Sequence, residues 1–229
     1  PAAVRHLVDD LGVTDVIDLR TVVEVAKEGD GPLVSERGVQ IQHLTLYTED
    51  TAETGVPAGE RDLPWAQDPN VGHRGSQQPT TSRPHHDEYW SEHYLGYLAQ
   101  RPESVVAALR TVAQSQGAVI VHCAAGKDRT GTVVGLALLL AGATDDAVTA
   151  DFVASTERVP RIMERLRRRP AYAEDLEGKT AQQQSPRPDT MRRLLAALHA
   201  AGGVESVLAR HGWTAEDTAR LSAKLRDHS

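Results

Sequence analysis

A stretch near the middle of the chain, Val119 to Gly131, joins an apolar segment to an apolar helix through a loop of small and charged residues. It reads VIVHCAAGKDRTG and contains the only cysteine of the 229 residues. The β-branched run Ala118 to Val121 predicts a short buried strand, and Thr130 to Ala141 predicts a central helix. The loop between them therefore lies at a helix N-terminus, which favours an α/β fold.

Other segments extend this α/β interpretation. Val13 to Leu19 predicts a second buried strand, and Val39 to Tyr47 alternates apolar with polar residues as a half-buried strand does. The predicted helices are Val4 to Leu11, Tyr89 to Val112 with a break at Pro102, one capped by Thr144, Pro160 to Tyr172, Pro188 to Ala201, Val204 to His211 and Ala215 to Leu225, the last with a Thr214–Asp217 capping box.

The segment between the early strands and the later helices is rich in glycine and proline and shows no periodicity. A loop of this length in a compact domain is usually a lid, a binding loop or a disordered segment. We interpret residues 1–229 as a single domain, with 48–88 as a long lid or insertion loop and 186–229 as a helical C-terminal extension.

Composition excludes several classes of protein. The net charge of −7 argues against nucleic-acid binding but not against a small anionic substrate, because the local field decides that. No apolar run approaches the roughly 20 residues of a membrane span, so we expect no transmembrane segment. One cysteine allows no internal disulfide and fits a reducing compartment. We expect a cytoplasmic protein, with export left open.

The loop itself has the composition of an anion site. The small residues Ala124, Ala125 and Gly126 let the backbone curl so that its N–H groups converge on one anion at the helix N-terminus. Arg129 can add a bidentate contact to two phosphate oxygens. The same field favours ionisation of Cys123, whose pKa we expect to fall from about 8.5 into the range ~3.5–7.5.

A thiolate beneath a bound phosphate is placed to attack phosphorus and to form a phosphocysteine that water then hydrolyses. The Thr130 hydroxyl can hydrogen-bond the sulfur and make it a better leaving group. A nucleotide-binding Walker loop would need glycine in place of Val121 and Ser or Thr in place of Asp128. A redox site would usually have a second cysteine, and a core cysteine does not need the Gly, Lys and Arg that follow.

The string HCAAGKDRTG resembles the HC-x5-R-[ST] signature of cysteine-dependent protein tyrosine phosphatases. Its GKDRTG ending is most similar to the bacterial branch with dual or triple specificity, which includes phosphoinositide phosphatases. The stretches VTDVIDLRT, DEYWSEHYLGYL and GGVESVLARHGWTAEDTARLSAKL are also similar to that branch. The resemblance implies the cysteine-phosphatase fold, with a central, mostly parallel sheet flanked by helices and a helical C-terminal part.

The resemblance also implies an activity. We expect a phosphatase that hydrolyses phosphomonoesters, phosphotyrosine first and then phosphoserine, phosphothreonine or phosphoinositide, without a metal or other cofactor. Phosphoprotein or phosphoinositide would be the substrate, and phosphate, sulfate or vanadate would be ligands of the site. The alternative is a catalytically weak module that binds phosphate or a phosphoprotein.

The predicted site residues follow from the signature. The nucleophile is Cys123, and the residues predicted to bind phosphate are Ala124, Ala125, Gly126, Lys127, Asp128 and Arg129. We expect the general acid to be Asp50, which follows the strand ending at Tyr47, with Asp128 inside the signature as the alternative. Further acids left open are Glu49, Asp62, Asp68 and Asp87.

Several other residues receive weaker assignments. Asp18 and Arg20 form either a structural ion pair or a buttress for the loop, and His122 helps to tune the thiol. Lys127 adds charge for an extra phosphate or an acidic head group. Two further predictions concern groups: Arg161, Arg165 and Arg168 share a helical face, either solvated or in weak contact with an anionic membrane, and His85, His86 and His93 form no metal site. Loop residues that could cover a substrate are Trp65, Arg61, Arg74 and Arg83.

Overall fold

The computed structural model describes residues 2–49, 56–66 and 86–226, with the backbone alone for 86–90. Within these residues, three parallel strands form a sheet in the order β2-β1-β3. The strands are β1 (Val13–Asp18), β2 (Gln40–His43) and β3 (Ala118–His122). The predicted α/β class, with a parallel sheet flanked by helices, is confirmed.

The second predicted strand is shorter than expected. Val39 to Tyr47 was expected to be one strand, but β2 pairs with β1 only from Gln40 to His43. One more hydrogen bond, from Leu44 N to Asp18 O at 2.9 Å, extends the ladder before the chain turns away. Leu46 is nevertheless fully buried, so the alternating pattern reflects burial beyond the end of the strand.

Helices account for most of the remaining described chain. They are α1 (Ala2–Arg5), α2 (Val22–Glu28), α3 (His86–Gln100), α4 (Pro102–Gln114), α5 (Asp128–Leu140), α6 (Asp145–Ala154), α7 (Val159–Leu166), α8 (Ala181–Gln184), α9 (Pro188–Ala200), α10 (Val204–Ala209) and α11 (Ala215–Leu225). None of the helices in the described ranges is long and apolar enough to cross a membrane.

Local signals explain where several helices begin and end. Pro102 begins α4, as predicted, because proline lacks the N–H that a first-turn residue leaves unpaired anyway. The Thr144 cap of α6 and the Thr214–Asp217 capping box of α11 are also confirmed. The predicted helix from Pro160 to Tyr172 is wrong at its end. It stops at Leu166, since Pro170 disfavours helical geometry before it and the chain continues in turns.

The N-terminal helix also differs from the one that the sequence predicts. Instead of one helix from Val4 to Leu11, α1 is followed by a wider helical turn over His6–Asp10. Leu11 N bonds to His6 O at 3.0 Å, five residues back. Gly12 then adopts a φ of +64°, which ends the turn and leads into β1.

The main core lies between the sheet and the helices that pack on it. The central helix α5 contributes Val133, Leu136 and Leu140, and the C-terminal helices contribute to the same cluster. A Cβ at Gly131 would lie 2.7 Å from the Phe152 ring, so glycine lets α6 approach α5 closely. The division into one domain with a helical extension at 186–229 stays a prediction.

A second apolar cluster lies beside the loop that follows β3. Its buried members come from α7 and the turns after it: Val159, Met163, Leu166, Ala171, Tyr172 and Leu176. Trp65 packs against it, and so do Ala124 and Ala125 of the cysteine loop. The segment after α6 is therefore held against the predicted site by apolar contact.

Candidate active site

The loop between β3 and α5 positions the only cysteine. Cys123 directly follows β3 and is 8% exposed, while Lys127 is the N-cap residue of α5 and Asp128 its first residue. Gly126 has a φ of +67°, a conformation that other residues adopt only with strain, so glycine lets the loop curl. The loop therefore sits at the positive end of α5, as the sequence predicts.

Arg129 is buried in the first turn of α5 and turns one edge of its guanidinium towards a carboxylate. Its Nη1 donates to Glu24 Oε2 at 2.6 Å and to Leu19 O at 3.2 Å, and its Nη2 donates to Glu24 Oε1 at 2.9 Å. A guanidinium has five N–H donors. Among the described residues Arg129 Nε has no hydrogen-bond partner, so the edge made by Nε and Nη2 is left for a ligand.

Glu24 is fixed by three groups besides Arg129. Thr21 N donates to Oε2 at 2.8 Å, and the Thr21 hydroxyl accepts from Glu24 N at 3.0 Å, which is a capping box. Tyr172 Oη donates to Oε1 at 3.0 Å. Burial alone would raise the pKa of Glu24, but the charge of Arg129 and these hydrogen bonds outweigh it, and the pKa is lowered.

Two aromatic rings lie against the guanidinium. The Cζ atom of Arg129 is 5.5 Å from the centroid of the Tyr47 ring and 5.6 Å from that of Trp65. Burial raises the pKa of Tyr47 to about 12 despite the nearby Arg129 charge. Burial also opposes the charge of Arg129, but Glu24 and, less strongly, Cys123 raise its pKa well above the usual value. The arginine therefore stays cationic.

Asp128 is the first residue of α5, and its carboxylate lies close to two polar side chains of the described chain. Tyr94 Oη donates to Asp128 Oδ1 at 2.5 Å, and Lys127 Nζ lies 3.4 Å from Oδ2. Lys127 also donates to the carbonyl oxygen of Gln184 at 2.6 Å. The carboxylate is thus held between Tyr94 and Lys127, with its side chain 23% exposed.

A second ion pair lies at the end of β1, where Asp18 is paired in the sheet with His122. Arg20 Nε contacts both carboxylate oxygens of Asp18 at 2.9 and 3.0 Å, and its Nη2 donates to Oδ2 at 2.6 Å. Burial would raise the pKa of Asp18, but the Arg20 hydrogen bonds and His122 lower it. His122 Nδ1 is 3.2 Å from the carbonyl oxygen of Cys123. The pair is present, and its role as a buttress stays a prediction.

Comparison with known proteins decides the family. Residues 1–227 match the tyrosine phosphatase family. The chain belongs to this family. It is 30% identical over 160 residues to the triple specificity protein phosphatase PtpB of Mycobacterium tuberculosis, which is 68% of this chain. It is also 30% identical to a tyrosine-protein phosphatase of Nostoc commune over 235 aligned residues, 96% of this chain and 69% of that protein.

The match to PtpB covers 57% of the length of that relative. The resemblance of HCAAGKDRTG to tyrosine phosphatases is confirmed at the level of the family. The roles of the individual residues remain predictions, and the structure brings several of them together: Cys123, Arg129, Lys127, Asp128 and Thr130.

The structure describes the side chains of only some of the predicted acids. Asp50 and Asp68 lie outside the described residues, and the side chain of Asp87 is likewise not described. Glu49 accepts a hydrogen bond from Val22 N at 2.7 Å, which occupies it at the start of α2. Burial raises the pKa of Glu49. Asp62 is exposed and lies outside the cysteine loop. Among the predicted acids that the structure describes, Asp128 is the one in that loop.

Thr130 differs from the other loop residues. Its Oγ1 and that of Thr149 are the buried side-chain polar atoms in the described ranges that have no hydrogen-bond partner. A buried hydroxyl without a partner is costly. No hydrogen bond from this hydroxyl to the Cys123 sulfur is present, so the predicted contact stays a prediction.

The predicted arginine face of α7 needs correction. Arg161 and Arg165 lie on α7, but Arg168 follows the end of the helix and pairs with Glu164 at 2.5 Å. Arg165 Nη2 donates to the carbonyl oxygen of Ala124 at 2.6 Å, so one member of the group contacts the cysteine loop. Arg74 and Arg83, two of the loop residues expected to cover a substrate, lie outside the described residues. His85, one of the histidines that we do not expect to bind a metal, lies outside them as well.

The site also contains residues that sequence reasoning missed. Glu24, Tyr94 and Tyr172 contact Arg129 or Asp128, directly or through Glu24, from distant parts of the chain. The T-x-x-E spacing of Thr21 and Glu24 was a visible capping signal. It predicts the start of α2 but not the contact with Arg129.

Proposed function

We propose that the protein is a cysteine-dependent phosphatase that hydrolyses phosphotyrosine through a phosphocysteine intermediate. The observation that carries the proposal is the orientation of Arg129. Its Nη1–Nη2 edge is clamped to Glu24, so its Nε–Nη2 edge faces away from the carboxylate. A bidentate contact through that edge, together with the loop amides from Ala124 to Arg129, suits a phosphate dianion.

In the first step the Cys123 thiolate attacks phosphorus, an S–P bond forms and the P–O bond to the leaving group breaks. Asp128 transfers its proton to the leaving oxygen. In the second step water attacks phosphorus, the S–P bond breaks and the Asp128 carboxylate takes a proton from the water. The Thr130 hydroxyl donates to the departing sulfur, and Arg129 holds the equatorial oxygens in both steps.

Asp128 is proposed as the acid over Asp50 because the described geometry supports it. Its carboxylate belongs to the loop that carries Cys123, and Tyr94 orients it. Comparing Asp128→Asn with Asp50→Asn on aryl phosphates with good and poor leaving groups tests the choice. The variant of the true acid loses more activity on the poor leaving group, since that oxygen needs the proton more.

The substrate range is a second part of the proposal. The name of the PtpB relative speaks of triple specificity, and the GKDRTG ending of this chain prompted the same expectation. We propose phosphotyrosine as the main substrate, with phosphoserine, phosphothreonine or phosphoinositide as further ones. Phosphate release from a matched set of phosphopeptides and a short-chain phosphoinositide ranks them.

Weak contact with an anionic membrane is also retained as a proposal. Arg158 and Arg161 are exposed at α7, close in sequence to the Arg165 that contacts the cysteine loop. Co-sedimentation with phosphatidylserine vesicles at low and high salt tests it, with Arg161→Ala as the variant. Binding that neither salt nor this variant changes would contradict it. A cytoplasmic location stays a prediction.

The central experiment is turnover of p-nitrophenyl phosphate. Wild type is expected to turn over and to be inhibited by orthovanadate, while Cys123→Ser is expected to be inactive and to retain phosphate binding. Equal activity of wild type and Cys123→Ser would overturn the mechanism. A folded wild type that binds vanadate without turnover would favour the phosphate-binding module instead.

A further inference from the structure

Tyr94 places a phenol hydroxyl directly against the proposed acid. Tyr94 Oη donates to Asp128 Oδ1 at 2.5 Å, across 34 residues of sequence. The other carboxylate oxygen, Oδ2, faces Lys127 Nζ at 3.4 Å. The two oxygens of Asp128 therefore have different surroundings, with a neutral donor at Oδ1 and a cation near Oδ2.

The tyrosine is held rigidly enough to orient its partner. Tyr94 is 2% exposed and lies on α3. Its ring stacks on Tyr97 at a centroid distance of 6.1 Å and meets the Phe152 ring edge-on at the same distance. Because both flanking rings belong to the main core, the direction of the hydroxyl is fixed by packing.

The phenol remains a donor across the working pH range. Burial raises the pKa of Tyr94 well above its usual value, and the Asp128 carboxylate and Cys123 raise it further. A tyrosine that does not ionise donates its proton in a hydrogen bond and does not compete as an acid.

We infer that Tyr94 is a positioning residue for proton transfer, which holds Asp128 through Oδ1 so that Oδ2 faces the leaving group. The inference rests on the proposed function, in which Asp128 is the acid. As Asp128 gives up its proton, negative charge develops on the carboxylate and the hydrogen bond from Tyr94 becomes charge-assisted. The bond is therefore stronger after proton transfer than before it, which lowers the barrier.

The same contact serves the second step. After the first step Asp128 is a carboxylate, and Tyr94 keeps Oδ1 occupied. Oδ2 is then the oxygen that accepts a proton from the attacking water. One fixed hydrogen bond thus assigns the same oxygen to both proton transfers.

The test compares two tyrosines on one helix. Tyr94→Phe removes the hydroxyl that reaches Asp128, and Tyr97→Phe is the matched control. Tyr97 is similarly buried, and its hydroxyl lies 3.4 Å from that of Tyr47, with no hydrogen bond to Asp128 among the described residues. Each variant is assayed on p-nitrophenyl phosphate and on phenyl phosphate, a poorer leaving group, with kcat and KM determined separately.

Tyr94→Phe is expected to lower kcat on phenyl phosphate by about tenfold, with a smaller loss on p-nitrophenyl phosphate and little change in KM. Tyr97→Phe is expected to show no such dependence on the leaving group. In the Asp128→Asn background, Tyr94→Phe is expected to cause no further loss, because the group that it orients no longer transfers a proton.

An equal loss on both substrates, or a full additional loss in the Asp128→Asn background, would overturn the inference and leave the acid role of Asp128 intact. If Asp128→Asn itself showed no dependence on the leaving group, both the acid assignment and the inference would fall, while an inactive Cys123→Ser would preserve the phosphatase. A wild type that does not turn over substrate would contradict the inference, the acid role of Asp128 and the phosphatase activity together.

Discussion

The structure contains two buried arginine–carboxylate pairs near the cysteine loop, and they use different edges of the guanidinium. Arg20 contacts Asp18 through Nε and Nη2, and its Nη2 also donates to Gly29 O at 3.0 Å. Arg129 contacts Glu24 through Nη1 and Nη2 and leaves Nε without a partner among the described residues. The Nε–Nη2 edge is thus occupied in Arg20 and open in Arg129.

The difference separates a structural pair from one prepared for a ligand. Both pairs are buried, and in both the carboxylate has a lowered pKa. Burial and charge therefore do not distinguish them. The distinction lies in the donors that remain after the carboxylate is satisfied, because only those can bind an anion.

The largest expected effect is the loss of activity when the open Nε–Nη2 edge of Arg129 is removed. Arg129→Lys should lower kcat/KM by about 10²–10³-fold, because one ammonium cannot contact Glu24 and also present two donors to phosphate. Arg20→Lys should act mainly on the free energy of unfolding. Steady-state kinetics and urea denaturation of both variants measure the two effects. An equal catalytic loss in a folded Arg20→Lys would show that the comparison is wrong.

The carboxylates provide the next test. Glu24→Gln keeps the size of the side chain but leaves the charge of Arg129 without its partner, which costs of the order of 3 kcal/mol in a buried pair. We also expect about a tenfold loss of kcat/KM, since the guanidinium loses its charged partner and is held less firmly. Asp18→Asn should cost similar stability with a smaller effect on catalysis, measured at a temperature where both variants are folded. A larger catalytic loss in Asp18→Asn would reverse the assignment.

These pairs mark the limit of what the sequence predicts. The strand, the loop and α5 are contiguous, so the positions of Cys123, Arg129 and Asp128 follow from local patterns. Glu24 lies 105 residues from Arg129, and Tyr172 lies 148 residues from Glu24. No spacing rule connects residues that meet only after the sheet and helices have packed.

The errors in the elements have a similar origin. Val39 to Tyr47 has the alternation of a strand, but pairing ends at His43 while burial continues to Leu46. The apolar spacing after Pro160 continues past Leu166, where Tyr172 enters the second apolar cluster from a turn. In both cases the pattern reported burial correctly, and the backbone geometry was decided by tertiary contacts.

A smaller effect is expected in the pH dependence of stability. Glu24 and Asp18 have lowered pKa values in the folded protein, so each binds its proton more readily when unfolded. Their stabilisation is complete above the ordinary carboxyl pKa, near pH 4 to 4.5, and is lost as the pH falls through the lowered values. In Glu24→Gln and in Asp18→Asn, the free energy of unfolding should fall less steeply between pH 7 and 3 than in wild type, as measured by urea denaturation. An unchanged slope in either variant would contradict that pair's contribution.

The smallest expected effect concerns Tyr172, a further side chain that contacts the carboxylate of the Arg129 pair. Its hydroxyl donates to Glu24 Oε1, while its ring packs with Met163 and Leu166 in the second cluster. Tyr172→Phe keeps the ring and removes one hydrogen bond to a charged group, which should cost about 1.5 kcal/mol. Arg129 retains both contacts to Glu24, so kcat/KM should fall only a few-fold. If Tyr172→Phe instead reduced activity as much as Glu24→Gln, the hold on Arg129 would depend on the segment after α7 and not on the carboxylate alone.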